Sequence, residues 1–185
     1  MDARAEDNIY YALKKFIAQY AQPSLADTNH VLNGYSNNLS LPTDGDDFCV
    51  VTVISENRRG QTMQTFPISI SNSVLYRTYY EQVIQVDCYS RDIYNARYRA
   101  ETLETLARTE TGVEFFLKNN FDLLYADGLR DLTSALDSDQ YVSRWTFNLY
   151  LGKWKEVTIE QQYFDTATVN VKNVDVAFPP KKDEE

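Results

Sequence analysis

Few residues of this 185-residue chain have the types and spacing to do chemistry. Its one histidine, His30, sits among Asn, Thr and Asp, where a solvated loop histidine is expected. Any Ser-His-Asp or Cys-His arrangement would have to use it. The two cysteines, Cys49 and Cys88, lie inside apolar runs, where a thiol packs as a small hydrophobe. Structural zinc takes about four nitrogen or sulfur ligands, more than this chain's His and Cys supply. Asp44-Gly45-Asp46-Asp47 resembles a fragment of a calcium loop, but Ser55 stands where the bidentate Glu would be needed. A turn in which Asp side chains accept from backbone N–H groups is the expectation there. Neither of the Gly-rich phosphate cradles, GxGxxG or GxxxxGK[ST], occurs. Glu101 and Glu104 are placed on a solvated helix face, which is no setting for paired-carboxylate glycosidase chemistry. The residues therefore point to no enzyme, no cofactor and no metal.

Composition narrows the classes further. The net charge is −9 and 14% of residues are aromatic, among them 14 Tyr. That aromatic content is too high for a disordered chain. Gly and Pro are scarce, at 6 and 5, which excludes collagen-like and linker-like classes. An acidic surface does not grip nucleic acid through phosphate neutralisation, nor dock on anionic lipid. No run approaches the roughly 18 apolar residues of a membrane span. Met1 to Asn8 is polar and acidic, unlike a signal peptide. A soluble protein of a reducing cytoplasm is expected.

The elements follow from periodicity. Ala5 to Tyr20 reads as a helix with Ile9, Leu13, Phe16, Ile17 and Tyr20 on one face, ended by Pro23. Gln22 to Asp47 is rich in turn formers and reads as one long loop. Phe48 to Ser55 and Tyr80 to Ser90 read as strands. In the second, Ile84, Val86 and Cys88 alternate with Gln85, Asp87 and Tyr89. Between them Gln61 to Ser73 has a period-two pattern and reads as a ribbon. Ser90 is placed as the cap of a second helix, with Asp92 in its first turn. Ile93, Ala96, Ala100, Leu103, Leu106 and Ala107 form its apolar stripe. Arg91, Arg99, Glu101, Glu104 and Arg108 are set opposite. The helix is expected to end near Gly112, and Val113 to Asn119 to form a short one. Phe121 to Thr133 reads as a strand broken at Asp127-Gly128. A polar connection, Ser134 to Gln140, follows, then the clearest strand, Tyr141 to Trp154, with Glu156 to Tyr163 a possible extension. Ala167 to Phe178 alternates again, and Pro179 to Glu185 reads as a frayed charged tail.

This order gives an α+β fold: a mostly antiparallel sheet, helices packed on one face, and a long extended hairpin arm. Residues 1–178 are expected to form one domain with a projecting ribbon around 58–79, and 179–185 a flexible tail. Tyr is enriched at interfaces, because its ring covers apolar surface while its hydroxyl finds a partner. The ribbon therefore reads as an arm that pairs with a neighbour. Its candidate interface residues are Gln64, Phe66, Ile68, Ile70, Tyr76 and Tyr79.

Two phrases then carry a family resemblance. Gln85-Val86-Asp87-Cys88-Tyr89-Ser90 feeds an Ala-bearing helix, and Asp139-Gln140-Tyr141-Val142-Ser143-Arg144-Trp145 runs into the strand Thr146 to Leu151. Together with the element order over Asp47 to Trp154, these resemble the tail terminator, or neck terminator, proteins of long-tailed bacteriophages. The resemblance implies a structural virion protein assembled in the host cytoplasm. It implies a ring, usually of six copies, that ends the tail tube, receives the head–tail connector and passes DNA through its lumen without specific binding. Arg144 is then expected to pair with an acidic neighbour within or between subunits. Asp87, Glu101 and Glu104 are candidate lumen carboxylates that would repel phosphates. The alternatives are another connector or completion ring, or a small-ligand-binding α+β module.

Overall fold

The computed structural model describes residues 9–35, 42, 47–66, 73–136 and 140–160, with side chains undescribed at 134–136, 140 and 141. Helix α1, Ile9–Tyr20, buries Ala12, Leu13, Phe16 and Ile17. Strands β1 (Val31–Asn33), β2 (Phe48–Thr65), β3 (Ser73–Ser90), β4 (Asp122–Asp131) and β6 (Gln140–Glu160) form one sheet in the order β1-β2-β3-β6-β4. Among the described residues only β1 and β2 run parallel. A short β5, Ser134–Leu136, pairs with β6 beside this path. Helices α2 (Ile93–Ala107) and α3 (Glu110–Lys118) complete the α+β fold.

The hydrophobic core lies between sheet and helices. Cys49 and Val51 of β2, Ile84, Val86 and Cys88 of β3, and Phe147, Leu149 and Leu151 of β6 face Leu13, Phe16 and Ile17, Ala100 and Leu103, and Phe116. Period-two alternation puts these residues on one face of the sheet. Phe16 contacts Tyr20, Phe115 and Phe116 at ring-centroid distances of 5.0 to 5.3 Å, knitting α1 to α3. The small Ala96, Ala100 and Ala107 let α2 lie close on the strands.

Several elements differ from the sequence reading, each for a local reason. The 22–47 stretch contains a 3-10 turn, Thr28–His30, and β1. Asp27 caps that turn by accepting from Asn29 N at 2.8 Å. The Tyr10 hydroxyl donates to Val31 O at 2.6 Å, tying β1 to α1. Strand β2 continues ten residues past Ser55, so Gln61 to Thr65 belongs to it, and β3 begins at Ser73. Ladder pairing with β3 holds these polar residues extended. Asp92 is the cap of α2, accepting from Tyr94 N at 2.8 Å, while the Ser90 hydroxyl accepts from Asp92 N. As the first helical residue, Ile93 projects beyond the sheet and is exposed. Ser134 to Gln140 contains β5. The break at Asp127-Gly128 is present as a register shift, with Gly128 at φ +76. The extension after Trp154 reaches Glu160. The readings of Ala5 to Asn8, Asp44 to Asp46, Gln161 to Tyr163, Ala167 to Phe178 and the tail lie outside the described residues, as do Ile68 and Ile70.

Arg99 is the largest correction. The sequence reading set it on the solvated face, but it is fully buried in the apolar stripe of α2. Its Nη2 lies 2.7 Å from Asp47 Oδ2, and its Nε donates to Pro23 O at 2.9 Å. One buried cation thus ties α2 to both ends of the 23–47 connection.

α2 ends at Ala107 and α3 begins at Glu110, so Gly112 falls inside α3 where the two helices meet. A Cβ there would lie 2.5 Å from Leu106 O and 2.9 Å from Ala107 Cα, both backbone atoms. Gly112→Ala is therefore expected to destabilise the fold by about 1–3 kcal/mol, as overpacking does. Chemical denaturation would read this as a lower midpoint; an unchanged midpoint would count against so tight a crossing.

Candidate functional site

No catalytic or metal constellation forms among the described residues. No group of three or more His, Cys, Asp or Glu converges. His30 is half-buried rather than fully solvated, and its enclosed Nδ1 has no hydrogen-bond partner among the described residues. Cys49 and Cys88 are register partners across β2 and β3, both buried, with Sγ atoms 3.6 Å apart. The neighbouring Cys49 thiol and burial push the Cys88 thiol well up, which disfavours a reactive thiolate.

What stands out is an extension of the sheet. β2, β3 and β6 run 18, 18 and 21 residues. Residues 54–66, 73–83 and 152–160 contribute nothing to the hydrophobic core cluster. The three strands continue past it as a twisted ribbon for roughly 30 Å, at about 3.3 Å per residue. This arm is three-stranded, because β3 pairs with β6 without a register shift from Ser73↔Glu160 to Ser90↔Ser143. It exposes Ile54, Met63, Phe66, Val157 and Ile159. Isolated exposed apolar residues are ordinary; several on one projection mark a contact surface.

The candidate interface residues fall in different settings. Gln64 is exposed on β2 opposite Tyr76, and Phe66 is 57% exposed just beyond the strand. Tyr79 packs on Trp154 at 5.0 Å, and its hydroxyl donates to Asp122 Oδ2 at 3.0 Å. Burial first, then the Asp122 carboxylate, push its phenol up to about 12. The folded state therefore keeps that proton where the unfolded chain loses it. The resulting stabilisation is full below about pH 10 and is lost as pH rises through 12. In a tyrosine absorbance titration Tyr79→Phe should remove a phenol from the high-pH end of the curve. A curve that loses an ordinary phenol titrating near 10 instead would refute this.

Arg144 Nε lies 3.1 Å from Asp87 Oδ1 in the same chain, and its guanidinium sits over the Tyr89 ring. Asp87 is only 3% exposed and also accepts from Gln85. Glu101 pairs with Arg97 at 2.7 Å, and Glu104 pairs with Arg108. Each candidate lumen carboxylate thus faces a cation of its own chain. Sequence reading passed over the exposed Tyr94 and Tyr98 of α2, Val113 and Leu117 of α3, and Val157 and Ile159 of β6. The spacing of four between the helical pairs was the available signal.

A family model matches most of the chain. The family described as phage neck terminator protein covers residues 7–178. The chain belongs to that family. No curated protein matches it. As a phage neck terminator protein it has a structural role in completing the tail, is placed at the tail or neck of the virion, and acts through contacts with other head or tail proteins. No helix among the described residues is long and apolar enough to cross a membrane.

Proposed function

We propose that this neck terminator assembles as a ring, of six copies, that ends the tail tube and receives the head–tail connector, with DNA passing through the lumen. The observation that carries the reading is the arm: three strands leave the hydrophobic core and present Met63, Phe66 and Val157 outward. A monomer gains little from such a projection, whereas a neighbour in a ring, or the tube beneath it, can cover it. Gln64, Phe66, Ile68, Ile70 and Tyr76 belong to this contact surface, and Tyr79 and Arg144 support it from within the sheet.

The charge also fits a channel that does not hold DNA. Asp87, Glu101 and Glu104 are offset by Arg144, Arg97 and Arg108. The chain as a whole still carries a net charge of −9. An acidic lumen would repel phosphates at low salt and less so at high salt. Negative-stain electron microscopy of the purified protein should show closed rings with a central hole, with mass photometry giving six subunit masses. A protein that stays monomeric at micromolar concentration and is missing from purified virions would overturn the proposal.

A further inference from the structure

Cys49 and Cys88 are register partners 39 positions apart in the chain, both fully buried, with Sγ atoms 3.6 Å from each other. Whether such a pair can be bridged depends on which kind of antiparallel pair it is. In a strand a residue's N–H and C=O point to the same side. Arg144 O accepts from Leu132 N, and Arg144 N donates to Thr133 Oγ1, so this residue of β6 is turned away from β3. Tyr89↔Arg144 is therefore a non-hydrogen-bonded pair, and its neighbour Cys88↔Trp145 a bonded one. Cys88 thus directs its backbone groups to β6 and away from β2. On β2, Val51 O accepts from Gly34 N, just past β1. Val51, and Cys49 two residues before it, are turned toward β1 and away from β3. Both strands give the same answer: Cys49↔Cys88 is a non-hydrogen-bonded pair, the closer of the two types.

Partners of this type hold their Cα atoms about 4.5 Å apart. Disulfides span roughly 4.4–6.8 Å between Cα atoms, so no strand has to slide for the bond to form. The sulfurs close from 3.6 Å to about 2.05 Å, which small side-chain rotations supply. Bridging adds no atom to the packed interior and removes two hydrogens. Enclosure also sets the kind of oxidant. Both thiols are buried and Cys88 titrates well above an ordinary thiol, so bulky oxidants are shut out and reaction is slow. The way in is β1. It is three residues long and places Val31 beside Cys49. So short a strand opens locally, which admits a small molecule.

We propose that Cys49 and Cys88 are a redox pair, held as thiols in a reducing cytoplasm and closed to a cross-strand disulfide once the virion stands in an oxidising medium. Hydrogen peroxide is an oxidant of the right size, and the step balances. One thiolate attacks a peroxide oxygen, the O–O bond breaks, hydroxide leaves and is protonated to water, and a sulfenic acid remains. The second thiol attacks that sulfur, the S–O bond breaks, the S–S bond forms and a second water leaves with the thiol proton. Two electrons pass from the sulfurs to one peroxide. The bond encloses residues 50–87, so the paired strands β2 and β3 that carry the arm are closed at their root into a covalent loop. A loop so closed has fewer unfolded conformations to gain, and the arm no longer peels from the body. The pair acts this way whatever the arm touches.

Intact mass spectrometry of the full chain tests this. Native, reduced protein treated with dilute hydrogen peroxide should lose the mass of two hydrogens and gain no oxygen. A digest without reductant should yield one peptide pair joining Cys49 to Cys88, and dithiothreitol should restore both thiols. The oxidised protein should melt about 5–15 °C above the reduced one. Cys88→Ala should abolish the loss of two hydrogens. Virions purified without reductant and denatured in an alkylating agent should show the cross-linked pair. Oxygen gain at the cysteines in place of the cross-link, cross-links only between chains, or an unchanged melting temperature would overturn the proposal. So would two free, alkylated thiols in the protein from virions.

Discussion

Asp47→Ala is expected to be the most damaging single change to this fold, lowering stability by about 3–5 kcal/mol. A domain of this size has only about 5–15 kcal/mol in total. Among the described residues, Asp47 is the one charged partner of Arg99, whose side chain is fully enclosed. With Asp47 gone, the guanidinium keeps the Pro23 carbonyl, and its Nη1 has no hydrogen-bond partner among the described residues. Water cannot reach it to compensate. The reverse change is milder. Arg99→Met keeps most of the apolar stem volume, and the stranded Asp47 is 22% exposed, so it can hydrate. The ordering therefore follows from burial: Asp47→Ala should cost more than Arg99→Met. The double variant should be no worse than Asp47→Ala alone, because removing both charges removes the buried unpaired one. Urea unfolding of the three variants checks this. An Asp47→Ala cost below about 0.5 kcal/mol, or one smaller than that of Arg99→Met, would sink the argument.

The same arginine shows where sequence reading succeeds and where it stops. Positions 96, 99, 100, 103 and 107 lie on one helical face by spacing alone, so periodicity would have placed Arg99 inside. Residue type outvoted spacing, because an arginine is almost never fully buried unless paired. The pairing partner was invisible, since Asp47 is 52 residues away in the chain. Local signals did well where the pattern was strong and long. The faces of β3 and β6, the break at Gly128 and the apolar face of α1 were all legible. They failed where pairing, not propensity, decides the conformation. Val31–Asn33 is too short to read as a strand, and it exists because β2 and the Tyr10 hydroxyl hold it. The arm was anticipated as a ribbon near 61–73, yet its length and its third strand come from β6, far downstream. The family phrases were readable because they sit where β3 enters α2 and where β6 begins, at the centre of the sheet. The ion pair joining Asp87 to Arg144 links those two phrases directly. That contact gives a physical reason for both phrases to occur in one chain.

Deleting Gln61 to Ser73 is expected to leave the body folded and to abolish or greatly weaken assembly. The deletion removes the end of β2, whose residues lie outside the hydrophobic core cluster, together with the connection to β3. Gly60, at φ +74, already sits in a turn-compatible conformation, and Arg59↔Tyr79 remains as a closing pair. Residues from Gly60 to Thr78 can then close a shorter hairpin. Circular dichroism should keep its shape, and the melting temperature should move by only a few degrees. Assembly should respond far more strongly. Met63 and Phe66 are removed outright, and the face around Tyr76 and Val157 loses its strand pairing. Contact residues of this kind commonly carry about 1–4 kcal/mol each in an interface. A ring multiplies any loss over every repeated contact. At least a hundredfold higher concentration should therefore be needed for rings to appear by mass photometry. Collapse of the monomer's dichroism would show that the arm stabilises the body; rings forming at the original concentration would show that assembly uses another surface, with Tyr94, Tyr98 and Leu117 the exposed residues to substitute next.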